Sequence, residues 1–234
     1  MIKPIILKIL FACCCFLSFS CARETPTNEI PMYGNIPGTP QQKECDEELI
    51  QSTVKQFGSR KAAGEAAIQL AWEYYNNKHD PKTAMKRFNQ AWLLDPSNAD
   101  AYYGFGFLVA GQGKNDEAIK FYKKALELNP KHAMAMCHLA LQYYKKAYQF
   151  HRKNMQKDSN QFLNEALFLY EEASQYATIG TDLGYIYYLW AVSLTTYGDY
   201  AKAWEKIKLS QRYDGRFIEP SFIPELSKFM PEPN

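Results

Sequence analysis

The alternation of apolar and polar positions between residues 45 and 230 predicts α-helices throughout that part of the chain. Apolar residues recur there at spacings of three and four, which places them on one face of a helix. An early example is the set Leu49, Ile50, Val54 and Phe57. Small Ala or Gly residues stand where two helices would approach closely, and Pro follows the ends of several segments. The pattern predicts an all-α fold, with helix N-caps at Asn115, Ser159 and Thr181.

One set of apolar positions recurs 34 residues later. The first set is Ala84, Phe88, Ala91 and Pro96, and the second is Ala118, Tyr122, Ala125 and Pro130. A period near 34 residues is typical of helix–turn–helix solenoids. With these motifs the chain resembles the tetratricopeptide repeat family, over roughly residues 65–215.

The resemblance implies an α-α superhelix of about four helix pairs, with a capping helix at each end. The domain would span residues 45–230, with an N-terminal cap over 45–58 and a C-terminal cap over 216–230. The repeats are expected at about 65–98, 99–132, 133–180 and 184–215. Terminal caps are needed because the end repeats of a solenoid would otherwise expose apolar faces.

The third repeat carries an insertion at 145–160. The inserted residues are rich in Lys and Arg and include Tyr148 and Phe150, so they predict a lengthened helical hairpin with a basic tip. Two interpretations of this tip remain open. It is either a solvated face, or a surface that touches acidic lipid headgroups or a protein partner.

The first residues read as an export signal. Lys3 and Lys8 flank an apolar run from Ile5 to Phe19, which is followed by Ser20 and Cys21. This order resembles a bacterial lipoprotein signal over residues 1–20 with lipidation at Cys21. A soluble secretory signal, an uncleaved anchor and cleavage at another site, such as that before Cys13, remain alternatives.

Residues 21–44 are predicted to form a flexible tether, because they are rich in Pro, Gly and polar residues and have little apolar periodicity. Ala22, directly after Cys21, favours the outer membrane, facing the periplasm, over retention at the inner membrane. The chain is therefore expected to be lipid-anchored in the bacterial cell envelope.

Composition argues against several other classes of protein. Four of the six cysteines lie in the signal or at its end, so the folded part keeps only Cys45 and Cys137 and the chain is no disulfide scaffold. These two form one bridge, or Cys137 is buried packing. Without residues 1–20 the formal charge falls from +2 to 0, which gives no sign of nucleic-acid binding.

The sequence contains no recognisable catalytic or metal-binding constellation. The segment Gly111-Gln112-Gly113-Lys114 lacks the spacing of a phosphate-binding loop. His132 and His138 would lie on different faces of a helix. We therefore expect a protein that is not an enzyme and uses neither a cofactor nor a metal.

The resemblance implies that the first helix of each pair lines a concave groove that binds a protein or peptide. The groove residues it assigns are Tyr103, Phe107, Met134, Leu141, Tyr144, Tyr185 and Tyr188. Exposed aromatic side chains give large contact area at low entropic cost, although any single one could instead fill the core. The expected function is a non-enzymatic adaptor for proteins of the cell envelope; the alternative is a structural or assembly subunit of an envelope machine for pili or secretion.

Overall fold

The computed structural model describes residues 27–233, and within that range the chain contains α-helices and short 3-10 turns but no strand. The chain divides into two compact units. We call residues 27–113 the N-terminal unit and residues 114–233 the C-terminal unit. The predicted signal over 1–20 and Cys21 lie outside the described residues.

The N-terminal unit contains four helices. They are α1 (Pro40–Phe57), α2 (Arg60–Asn76), α3 (Pro81–Leu94) and α4 (Ala99–Gly111). A side chain caps the start of each helix by accepting a backbone N–H: these caps are Thr39, Ser59, Asp80 and Asn98. Consecutive helices pack against each other, as in a helical-repeat fold.

The first helix closes the end of the N-terminal unit. Ile50 of α1 packs with Ala63 of α2 and Leu94 of α3 in one buried cluster. Arg60 reinforces this end, because its Nε donates to the carbonyl oxygen of Leu94 at 2.8 Å. The helix begins at Pro40, five residues before the predicted cap.

The residues just before α1 differ from the extended tether that the sequence predicts. Residues 28–35, which we call the N-terminal strap, lie against α3 in two 3-10 turns. Asn89, fully buried on α3, donates from Nδ2 to the carbonyl oxygens of Asn28 at 3.1 Å and Ile30 at 2.9 Å. Tyr33 is buried and meets the ring of Trp92 edge-on at 6.1 Å.

The strap turns through left-handed backbone conformations. Met32, Tyr33 and Asn35 have φ between 50° and 57°, and Gly34 has φ 69°. Left-handed residues other than Gly cost roughly 1–2 kcal/mol each, so the contacts of the strap with α3 must hold this turn in place. Composition alone suggested a flexible tether, because the contacts that offset the cost of these conformations come from α3, which is distant in sequence.

The C-terminal unit contains six helices. They are α5 (Asn115–Leu128), α6 (Ala133–Arg152), α7 (Gln156–Tyr176), α8 (Gly180–Thr196), α9 (Tyr200–Asp214) and α10 (Phe222–Phe229). A 3-10 turn, Gly215–Phe217, precedes the last helix. The predicted caps Asn115, Ser159 and Thr181 all lie inside helices. Ser159 is instead buried and donates to the carbonyl oxygen of Ala147 at 3.0 Å.

The 34-residue period appears directly in the structure. Helix α3 begins at Pro81 and α5 at Asn115, and both helices have 14 residues. The residue after each helix makes the same turn: Asp95 accepts from the N–H of Ser97, and Asn129 accepts from that of Lys131. The predicted all-α fold of tetratricopeptide-like helix pairs is confirmed.

The extra residues of the third repeat lengthen both helices of its hairpin. Helix α6 has 20 residues and α7 has 21, against 14 for α5. The rings of Phe150 and Phe162 stack at 5.5 Å with an interplanar angle of 2° near the end of this hairpin. The predicted hairpin is therefore an ordered helical element.

The last helix covers the end of the C-terminal unit. Leu226 of α10 is fully buried, and the indole N–H of Trp204 donates to the carbonyl oxygen of Met230 at 2.9 Å. Among the described residues, no helix combines the length and apolar character that crossing a bilayer requires.

Candidate functional site

Four aromatic side chains form a cluster in the N-terminal unit. Trp72 and Tyr75 come from α2, and Tyr103 and Phe107 come from α4. The ring of Trp72 lies 5.6 Å from that of Tyr103 and 5.2 Å from that of Phe107, while Tyr75 lies 5.0 Å from Phe107. We call this set the aromatic cluster. It joins the first helices of two neighbouring repeats.

The members of the aromatic cluster differ in accessibility. Trp72, Tyr75 and Phe107 are half-buried, whereas Tyr103 is only 8% exposed. Phe107 therefore presents part of its ring to solvent, and Tyr103 is mainly a buried packing partner of Trp72. Sequence reasoning missed Trp72 and Tyr75 as surface residues. Their spacing of three on one helix, in line with the predicted groove, could have identified them.

The cluster rests on a close contact between helices. Phe88 of α3 is fully buried and meets Trp72 at 5.1 Å. Gly104 of α4 lies directly against the Phe88 ring, where any Cβ would overlap it. The glycine allows α4 to approach α3, and this approach places Phe107 beside Trp72.

The predicted groove residues of the C-terminal unit do not share one environment. Met134, Leu141 and Tyr185 are half-buried. Tyr185 packs between the rings of His138 at 5.7 Å and Phe217 at 5.2 Å, so only part of its ring reaches solvent.

Tyr144 and Tyr188 are buried, and this differs from their expected place on an open groove. Tyr144 is 6% exposed and meets Tyr197 at 5.6 Å. Tyr188 is 8% exposed and meets Phe222 of α10 at 5.6 Å. The end of α8 and the last helix cover these two rings, so they offer little surface to a partner. Burial raises the pKa of Tyr144 to about 12.

The buried polar centre of the C-terminal unit is His138. Its Nδ1 lies 2.9 Å from the carbonyl oxygen of Met134, so the neutral ring donates from Nδ1, and its Nε2 lies 3.5 Å from the hydroxyl of Tyr185. Burial lowers the pKa of His138 to about 4. The ring is therefore neutral near pH 7 and helps to position Tyr185.

Two cysteines, Cys45 and Cys137, lie within the described residues. Cys137 is a buried free thiol whose pKa is raised by desolvation, which makes it a poor nucleophile. Because the Cys137 thiol is free, the Cys45–Cys137 bridge that the sequence left open does not form. Within residues 27–233, no group of three or more His, Cys, Asp or Glu side chains is arranged to hold a metal ion.

One repeat of this chain matches a known family model. The family model of the tetratricopeptide repeat matches residues 99–132, which correspond to α4 and α5. Among solved structures, one titled "Crystal structure of MamA" is 19% identical, covers 76% of this chain and 96% of its own, and has a TM-score of 0.46. No curated protein sequence matches the chain significantly. The predicted resemblance to tetratricopeptide repeats is confirmed, and such repeats are typical of non-catalytic protein-interaction scaffolds.

Proposed function

We propose that this protein is a non-enzymatic adaptor of the bacterial cell envelope that binds a protein or peptide through the aromatic cluster. The observation that carries the proposal is the set of three half-buried rings, Trp72, Tyr75 and Phe107, on the first helices of two tetratricopeptide-like repeats. Rigid aromatic side chains that are partly exposed gain much contact area when a partner covers them.

The packing of the cluster favours binding over a purely structural role. Trp72 and Tyr75 each meet Phe107 edge to face, and the close Phe88–Gly104 contact, with Phe88 against Trp72, holds these rings in position. A preorganised surface loses little side-chain entropy when it binds. A partner with apolar side chains, presented by a peptide or a helix, fits this surface best.

The binding surface is tested by capture from cells. Tyr75→Ala together with Phe107→Ala should reduce the affinity for a captured partner by about 30- to 1000-fold, the range expected when two anchor residues are truncated. Phe168→Ala is the matched control, because Phe168 is an aromatic side chain 60% exposed on another surface. The double variant should stay folded but melt below the parent, because both rings pack within the aromatic cluster, whereas Phe168→Ala should keep the parent melting temperature.

The experiment consists of crosslinking in intact cells, purification and identification of the captured proteins. Equal capture by the double variant and the Phe168 control, with both folded, would remove the aromatic cluster from the proposal. Capture of one fixed complex, in constant proportion, would identify a subunit of an envelope machine rather than an adaptor.

We further propose that the chain is held in the envelope by a lipid on Cys21. Ala22, directly after that cysteine, favours the outer membrane, facing the periplasm, over retention at the inner membrane. The apolar run before Cys21 supports this proposal. Cys21→Ala should abolish acyl labelling and partitioning into detergent. A normal acyl label on that variant would show that another residue is modified.

A further inference from the structure

The hairpin of the third repeat ends in a run of exposed residues that the binding proposal does not use. All seven residues from His151 to Lys157 are exposed, and we call them the hairpin tip. Asn154, with φ 57°, turns the chain, and the N–H of Met155 donates to the carbonyl oxygen of Phe150 at 3.0 Å. The tip is therefore a tight turn between the two long helices of the hairpin, and its residues are open to solvent.

The tip is strongly cationic. Residues 145–157 contain five Lys or Arg residues and no Asp or Glu. Lys146 is neutralised by Asp116 of α5, at 2.6 Å between Nζ and Oδ1. Within the described part of the chain, Arg152, Lys153 and Lys157 form no ion pair, and Asp158 is the acidic residue that follows them in sequence. Their charges are therefore available to an anionic surface.

Apolar side chains accompany these charges. Met155 lies within the tip and is 43% exposed, and Tyr148, one turn earlier on α6, is 39% exposed. Tyr is enriched at membrane–water interfaces, and Lys and Arg can extend their charged ends to headgroups while their stems stay in apolar surroundings. Cations and apolar groups together on one exposed turn suit a lipid surface, whose phosphates and acyl chains lie next to each other.

The tip is also held firmly enough to act as a contact point. Below it, Phe150 stacks on Phe162, and Ser159 bonds to the carbonyl oxygen of Ala147. Tyr197 adds a hydroxyl 3.1 Å from Ser159 Oγ and a ring 5.9 Å from that of His151. Little conformational freedom is therefore lost when the tip meets a surface.

We infer that the hairpin tip binds the anionic headgroup layer of a membrane, as a second contact independent of the lipid proposed at Cys21. Arg152, Lys153 and Lys157 would contact lipid phosphates, and Met155 would enter the apolar edge of the headgroup layer. Electrostatic attraction of this kind is short-ranged and weakens as salt shortens the Debye length.

The test uses the full chain with Cys21→Ser, so that acylation cannot mask the tip. Partitioning is measured by flotation with vesicles of phosphatidylcholine and with vesicles that also contain phosphatidylglycerol, at low and high salt. All variants keep the same residues 1–20, so the quantity compared is the ratio of anionic to neutral partitioning.

Arg152→Gln, Lys153→Gln and Lys157→Gln together should lower this ratio on the order of 100-fold at low salt, since each basic residue near an anionic surface contributes about fivefold. The matched control is Lys43→Gln, Lys55→Gln and Lys61→Gln, which removes three exposed lysines from the N-terminal unit and should leave the ratio unchanged. Met155→Ser should also lower partitioning to anionic vesicles, but less strongly than the triple variant of the hairpin tip.

Three results would overturn the inference. The parent could show no preference for anionic vesicles, or the two triple variants could lose the preference equally, which would reflect net charge alone. The third is binding of soluble polyglutamate, lost in the tip variant, without a vesicle preference; the tip would then recognise an acidic protein. Acyl labelling of the unmodified chain reports separately on the anchor at Cys21.

Discussion

Gly104 lies against the face of Phe88 so closely that a Cβ would sit 2.5 Å from Cζ of that ring, and nearer still to two other ring carbons. The ring has no room to retreat, because Phe88 is fully buried between Trp72 at 5.1 Å and Phe105 at 6.4 Å. The contact sets the approach of α4 to α3, and it therefore also positions the aromatic cluster.

Gly104→Ala should lower the free energy of unfolding by about 1–3 kcal/mol, because one methyl group must be forced into a packed site. Gly111→Ala is the control within the same helix, since nothing lies within 4 Å of its added Cβ. That change should be neutral or slightly stabilising. Urea unfolding followed by circular dichroism measures both, and equal stability of the two variants would show that α4 does not approach α3 in this way.

Because Asn89 holds the strap, changing this residue should loosen the strap and leave the rest of the fold intact. Asn89→Ala removes two hydrogen bonds to the backbone of the strap and should cost about 1–3 kcal/mol. Hydrogen exchange should accelerate at residues 28–35 while α8 and α9 stay protected. Asn76→Ala, at an exposed position on α2, is the control. Unchanged exchange of the strap in the Asn89 variant would contradict its docking.

The buried His138 predicts that stability falls in mild acid. Its folded pKa, about 4, is below the ordinary value of 6.5, so the unfolded chain binds the proton first as the pH falls. This contribution to stability is fully present above pH 6.5 and is lost between pH 6.5 and 4, by roughly 3 kcal/mol at most.

The test compares how the stability of two variants, His138→Phe and His151→Gln, depends on pH. His151→Gln is the control because it removes an exposed histidine instead of the buried one. The free energy of unfolding is measured from pH 7 to pH 4 for both variants and the parent. His138→Phe should lie below the parent at pH 7 but decline less steeply, and His151→Gln should follow the parent curve. Parallel curves for all three would mean that His138 titrates normally.

The last helix predicts a contrast between two neighbouring side chains. Leu226→Ala should cost about 2–4 kcal/mol because Leu226 is fully buried. Phe229→Ala should cost about 1 kcal/mol, the contribution of an exposed aromatic stack, here on Tyr200 at 5.0 Å. Melting temperatures of both variants decide whether α10 is a true cap, since a loosely attached helix would make the two changes equally mild.

Much of the fold could be predicted from the sequence because repeats are local. The spacing of Ala84, Phe88 and Ala91, recurring 34 residues later, is sufficient to locate α3 and α5, whose faces and terminal turns depend on nearby residues. The helix N-caps predicted at Asn115, Ser159 and Thr181 were wrong by one to four residues, because a polar residue in the first turn resembles a cap.

The candidate site was less predictable because burial depends on distant elements. Tyr144 and Tyr188 occupy positions that suit a groove, yet Tyr197 and Phe222 cover them. Nothing near either tyrosine in sequence indicates these partners. The strap escaped prediction for the same reason, since its structure depends on Asn89, about 60 residues away along the chain.

The strap also limits how far the protein can range from its proposed anchor. Only six residues lie between Cys21 and Asn28, and whatever their conformation the distance between those two residues is at most about 25 Å, whereas the 23 residues of a free tether over 22–44 could span up to about 80 Å. If Cys21 carries the lipid, the linker to the N-terminal unit is about threefold shorter than a free tether over residues 22–44 would be. The volume that this unit can reach around its anchor is then roughly 30 times smaller. The protein would then meet only partners that come close to the membrane surface. Releasing the strap from α3 would lengthen the free linker and let the protein bind partners farther from the membrane.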